Sequence, residues 1–301
     1  MPVFLFALAV SPNLNESRIV IVFFALHIFL YPASNGYNSY FDKDEDSIGG
    51  LKHPPRVSIG LYYMALIFDV IAVVLGFMIN WQFAVMLFIY GLVSKAYSHP
   101  TIRLKKYPYT SWFIAGLFQG YFTFIMAYIG LNDYAIVQAL QWSVLAPALL
   151  SSAILWGSYP MTQIYQHDED KKRGDITLSL KLGILGTFHF TGVAFALATA
   201  LFVWYFIDFF QLKYAIVFLI SMAPVVLFFG FWYLKTKKDL SHANFTNTMR
   251  LNLISAICLN IFFIYLFLES TQVVQAIRAG FLIYVDKTYE SMKSCAVLPF
   301  L

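Results

Sequence analysis

Charge is scarce in this chain. Only 12% of its 301 residues are Asp, Glu, Lys or Arg, while 60% are hydrophobic. Ordinary soluble domains carry about twice that share of charge, so a water-solvated globular fold is excluded. The mean hydropathy of +0.68 points to an all-α protein embedded in lipid. Cysteine is nearly missing as well: Cys258 and Cys295 supply neither a disulfide framework nor a paired metal site. No basic leader precedes the apolar stretch from Met1 to Val10 and no small-residue cleavage site follows it, so it does not read as a signal peptide. Too short to span, it reads as the tail of a first transmembrane helix.

What the chain does have is aromatic and aliphatic bulk, with 31 Phe and 20 Tyr suited to lipid-facing surfaces and interfacial belts. Eight apolar runs approach the ~20 residues a spanning helix needs, at about 18–38, 57–79, 81–97, 110–130, 134–162, 184–209, 213–235 and 249–270. With the stretch at 1–10 they predict a polytopic bundle of about nine transmembrane helices in residues 1–270. The breaks carry turn chemistry, as at His53-Pro54-Pro55, Ile79-Asn80, Leu131-Asn132-Asp133 and Gly183. Residues 271–301 read as a separate tail, where Val273, Ile277, Phe281, Ile283 and Tyr284 suit one face of an interfacial helix.

Fifteen of the 20 Lys and Arg fall in alternate loops, which the positive-inside rule assigns to the cytoplasm. Two acidic clusters fall in those same loops. The first runs through Asn35, Asn38, Asp42, Asp44, Glu45 and Asp46; the second through Asp168, Glu169, Asp170 and Asp175. Carboxylates are costly beside a bilayer, so dense groups of them need a purpose. Asn38, Asp42 and Asp46 recur every fourth residue and share one helical stripe, extended upstream by Asn35. Oxygen ligands in such a stripe repel one another unless a cation joins them, and Mg²⁺ takes a carboxylate or two plus waters and substrate phosphates.

In the second cluster Lys171, Lys172 and Arg173 follow the acids at once, and Gly174, Asp175 and Thr177 come next. Acid followed by base suits a metal–diphosphate complex, because carboxylates hold the metal and cations neutralise the remaining phosphate charge. A third segment on the same side, Tyr97-Ser98-His99-Pro100-Thr101-Ile102-Arg103-Leu104-Lys105-Lys106, adds cations, among which Arg103 suits bidentate phosphate binding. A transporter would also explain many helices and intramembrane Asn. It explains poorly why the acids cluster at loop starts on one side, and no inverted repeat is evident.

Together the three segments resemble the UbiA superfamily of intramembrane prenyltransferases. That family carries Asn-Asp-x-x-Asp-x-x-x-Asp after its second helix. Asn38, Asp42 and Asp46 match it, Asn35 matches an Asn further upstream, and Ser39 stands where the family has Asp. The family segment Tyr-Ser-x-Pro-x-x-Arg-Leu-Lys is matched by Tyr97, Ser98, Pro100, Arg103, Leu104 and Lys105. The family's Asp-x-x-x-Asp followed by Gly-x-x-Thr-Leu is matched by Asp170, Gly174, Thr177 and Leu178. Its earlier Asp aligns with Gln166, so Asp168 or Glu169 becomes the candidate replacement carboxylate.

The resemblance implies a helical bundle around a central cavity and transfer of a prenyl group from a prenyl diphosphate to a hydrophobic or aromatic acceptor, a quinone precursor in particular. Non-aromatic acceptors on the same scaffold are the alternative; no nucleic-acid partner is expected. It implies Mg²⁺ held by Asn38, Asp42, Asp46, Asp168 and Asp170. It also implies catalytic roles for Asp42, Asp170, Arg103 and Tyr97, with substrate contacts from Asn35, Asn38, Ser98, Arg103, Lys105, Lys106, Lys172 and Arg173.

Overall fold

A computed structural model describes residues 1–43 and 47–271. The tail read at 271–301 therefore lies, beyond its first residue, outside the described part, as do Asp44, Glu45 and Asp46. Among the described residues the regular elements are helices: α1 (Pro2–Ala9), α2 (Glu16–Asp42), α3 (Ile59–Phe77), α4 (Trp81–Ser98), α5 (Pro108–Asn132), α6 (Trp142–Gln163), α7 (His167–Arg173), α8 (Leu178–Phe209), α9 (Leu212–Lys238) and α10 (Phe245–Ser270). The only extended pairing described is an isolated bridge between Ile48 and Leu51.

Helix starts follow local chemistry. The side chains of Asn15, Asn80, Thr177 and Asn244 accept backbone N–H groups at the first turns of α2, α4, α8 and α10, satisfying donors that no helical carbonyl reaches. Asn80 also donates to Asp133 Oδ1 at 2.9 Å, tying together two of the turns predicted from sequence. Gly183 breaks the run as expected, but as a kink (φ 70°) inside a longer helix that already begins at Leu178.

Two helices widen into π-helical turns, at Phe24–Leu30 in α2 and Leu117–Phe122 in α5. In α2 the following Pro32 has no N–H to offer the preceding turn. In α5 the extra backbone donor finds a side chain instead: Tyr121 N–H donates to Ser152 Oγ of α6 at 2.8 Å, and that hydroxyl donates to Gly116 O at 2.8 Å.

Seven of these helices are long and apolar enough to cross a membrane, namely α2, α3, α5, α6, α8, α9 and α10. Large apolar side chains such as Val70, Leu197, Ile220, Leu227 and Ile261 are exposed on their outer surfaces, as lipid contact requires. The chain is a multi-pass integral membrane protein. The predicted nine is not reached by that standard, for a physical reason in each case. The eight residues of α1 rise only about 12 Å, and α4 carries Ser94 and Lys95 in its last turns. From Phe4 to Ala9, α1 is buried, packed against α10, α5 and α6.

Candidate active site

The end of α2, the end of α4, the turn Leu104–Lys106, the end of α6, α7 and the start of α10 meet at one end of the bundle. They enclose a cavity of about 620 Å³, lined among others by Asn35, Asn38, Asp42, Tyr97, Lys105, Tyr159, Gln166, Asp170, Arg173, Asp175 and Thr177. The three segments singled out in the sequence are thus brought into direct contact.

Asn38 and Asp42 project from the last turns of α2. Asn38 Oδ1 accepts the Ser98 hydroxyl at 2.7 Å. Asp42 is ion-paired with Lys105, and Arg103 Nη2 approaches it to 3.9 Å. Arg103 takes a left-handed backbone conformation (φ 43°), unusual for a residue with a Cβ. From there its guanidinium grips Asp175 with both prongs, Nε to Oδ1 and Nη2 to Oδ2, each at 2.8 Å. Lys105 Nζ lies 3.8 Å from the same carboxylate.

The second acidic segment folds as a single short helix, α7, closed by Gly174 at φ 75°, a conformation a glycine takes without steric cost. That turn folds the chain back, so that Asp175 N–H donates to Asp170 O at 2.9 Å and both carboxylates enter the cavity. Asp170 Oδ2 accepts from Thr177 Oγ1 at 3.2 Å, and Asp170 Oδ1 accepts from Arg173 at 3.2 Å. Burial first, then the nearby charges of Asp175 and Asp42, push the Asp170 carboxyl up to about 7 against the opposing Thr177 hydrogen bond and Lys105.

Not every predicted residue arrives. Asp168 is exposed and does not line the cavity. Two positions along a helix turn a side chain through about 200°, so when Asp170 faces inward Asp168 faces out. Of the two candidate replacements for the missing carboxylate, Asp168 is thus turned away from this cavity, which Gln166 lines, donating to Ser47 O at 3.5 Å. Lys172 is exposed too, and Lys106 turns its ammonium over the Tyr107 ring at 4.9 Å. Ser98 lines a smaller adjoining cavity. Asp46 lies outside the described residues. Sequence reading passed over Asp175 as a site residue, although the Gly174 turn before it was the available signal.

The donor set suits a hard cation. The cavity presents amide and carboxylate oxygens from Asn38, Asp42, Asp170 and Asp175 and no thiolate or imidazole, His167 being paired with Ser179 at 2.8 Å instead. Among the described residues no three His, Cys, Asp or Glu cage an ion by themselves.

The model of the UbiA prenyltransferase family matches residues 1–254. No curated protein matches the sequence. A UbiA homologue from Archaeoglobus fulgidus bound to DMAPP and Mg²⁺ is similar in structure, with TM-score 0.60 and 14% identity over 88% of this chain and 95% of that one. The same homologue bound to Cd²⁺ gives 0.57 and 15% over the same shares. A structure concerned with digeranylgeranylglyceryl phosphate synthase in membranes gives 0.58 and 21%, covering 88% of this chain and 91% of that one. At these identities the likeness is one of fold.

Proposed function

The chain belongs to the UbiA prenyltransferase family, and from that premise we propose that it moves a prenyl group from a prenyl diphosphate to a lipid-soluble acceptor inside the membrane. The observation that carries the reading is the interlocked set Asp42–Lys105–Asp175–Arg103, joined by Asp170 and Arg173. Three carboxylates and three cations nearly neutralise one another there. Neither bare metal nor bare diphosphate gains much by entering alone, whereas a metal–diphosphate complex lets acids and bases each exchange one partner for a better one.

Asn38, Asp42 and Asp170 would hold Mg²⁺, and Asp175 would keep Arg103 oriented. Bound Mg²⁺ would stabilise the diphosphate as a leaving group. Arg103, Lys105 and Arg173 bind its oxygens. Tyr97 and Tyr159, hydrogen-bonded through their phenol oxygens, stand where this cavity narrows into the next. Their rings can stabilise an allylic cation without trapping it. Beyond them the side chains of Tyr90, Ile114 and Phe118 leave little room for water that would quench that cation. An aromatic, quinone-precursor type of acceptor is favoured, because its nucleophilic carbon needs only flat walls such as Tyr90 and Phe118. The positive-inside count supports a site at the cytoplasmic face.

Incubation of the detergent-purified protein with labelled geranyl diphosphate, membrane lipid and Mg²⁺ tests the reading. Label should appear in a prenylated lipid by mass spectrometry and vanish with Asp42→Ala. Labelled product of equal yield from Asp42→Ala would count against it.

A further inference from the structure

Two smaller cavities of about 190 and 360 Å³ continue inward from the diphosphate cavity and share Ser34, Asn35, Tyr90 and Gln119. Both lie among membrane-spanning helices, yet the side-chain amides of Asn35 and Gln119 are exposed to them with no hydrogen-bond partner among the described residues. An amide offers two donors and an acceptor oxygen, free here to meet a molecule that enters these cavities.

Gln119 is also held in an unusual way. It sits in the π-helical turn Leu117–Phe122, whose extra N–H is met by Ser152. Gly120 lets that turn press onto α6, where an added Cβ would lie 2.5 Å from Ser152 backbone atoms. Single π-helical turns of this kind occur frequently at functional sites. Here the turn fixes the Gln119 amide at the junction of the two cavities.

The second observation is what the junction lacks. No Lys, Arg, His, Asp or Glu side chain lines either inner cavity. Met1 borders the larger one, and burial holds its amino group down to about 6; the cations of the diphosphate cavity, Lys105, Arg103 and Arg173, are already bound to Asp42, Asp175 and Asp170. An acceptor carrying a carboxylate or phosphate would lose its hydration there with no permanently charged cation to meet it.

We propose that Gln119, together with Asn35, forms the acceptor subsite and that it selects a neutral acceptor presenting a hydroxyl or carbonyl group. The inference rests on the prenyl-transfer reading above and adds the acceptor's chemical class. In the step it serves, the allylic carbon–oxygen bond breaks with its electron pair going to the diphosphate. A new bond forms between that carbon and the acceptor, and the hydrogen displaced from the acceptor leaves as a proton to the diphosphate.

The test uses the full chain in lipid nanodiscs with Mg²⁺ and labelled geranyl diphosphate. The acceptor probe is a membrane lipid extract split on an anion exchanger into neutral and acidic fractions. The neutral fraction should take up label at least about tenfold faster. Gln119→Leu should raise the apparent KM for the neutral fraction about three- to tenfold, the worth of one neutral hydrogen bond. Its Mg²⁺-dependent binding of geranyl diphosphate should stay within about twofold of wild type, showing the site still folds. Gln119→Arg should shift uptake toward the acidic fraction. Equal or faster labelling of the acidic fraction, labelling of neither, or an unchanged KM in Gln119→Leu overturns the proposal. A wild-type protein that fails to bind geranyl diphosphate overturns the prenyl-transfer reading itself, a result separable from a lost neutral preference.

Discussion

Asp170 is the residue whose chemistry is most exposed to test. Its carboxyl is raised from the ordinary value of 3.8 to about 7, chiefly by burial. Between about pH 4 and 7 the folded protein therefore holds a proton that the unfolded chain has released, so metal-free stability falls as pH climbs through that window. Metal binding needs the bare carboxylate, which gives the opposite dependence. Calorimetric titration should show Mg²⁺-dependent geranyl diphosphate binding strengthening about tenfold per unit up to pH 7 and levelling above it. A flat profile from pH 5.5 to 8 would remove Asp170 from the ligand set.

Asp175 has a different part. Its carboxylate is held by both prongs of Arg103, so Asp175→Asn should cost about 1.5–3 kcal/mol in thermal unfolding. Asp42 and Lys105 were legible in the sequence because four-residue spacing and motif order put them together. The role of Asp175 was not, because it depends on how the Gly174 turn redirects the chain after α7.

At the scale of elements, α3 and α4 are fastened by a pair that the apolar pattern hides. Asp69 lies in the middle of α3 and is ion-paired with Lys95 of α4, side chains 18% and 16% exposed, while the Lys95 ammonium stands 5.2 Å from the Tyr37 ring of α2. A carboxylate in a spanning helix is tolerated only when paired. Asp69→Leu alone should destabilise the bundle by about 3–5 kcal/mol by stranding Lys95, and adding Lys95→Met should recover most of that. Thermal unfolding of the single and double variants in detergent checks it; equal losses in both would show the pair contributes nothing as a pair.

The π-helical turn of α5 makes a second case. Gly120→Val would drive side-chain atoms into Ser152, an overpacking cost of about 1–3 kcal/mol or more, visible as a lowered melting temperature. Run lengths and turn residues foretold most helix positions. They did not foretell these two features. Asp69 and Lys95 lie far apart in sequence with no motif joining them, and nothing in Leu117–Phe122 distinguishes a π turn from a regular one until Ser152 is seen across from it.

Taken whole, the molecule is a membrane bundle with a polar end where three carboxylates and three cations form one ion-paired set. That general plan follows from composition, because 60% hydrophobic residues leave few places for charge. Which carboxylates face inward does not follow, since α7 is charged at nearly every position and so carries no apolar stripe to fix its rotation; Asp168 and Asp170 are told apart by its orientation. The inner cavities were equally hidden, being made by residues such as Tyr90, Gln119 and Phe263 that are distant in sequence and individually ordinary for a membrane helix. The central claim is that acids and bases at this end share one metal–diphosphate ligand. It is tested most directly by calorimetric titration of geranyl diphosphate into the purified protein with Mg²⁺ and then with chelator. Binding should require Mg²⁺ and fall at least about a hundredfold in Asp42→Ala and in Asp170→Ala. Equally tight binding with chelator present would contradict it.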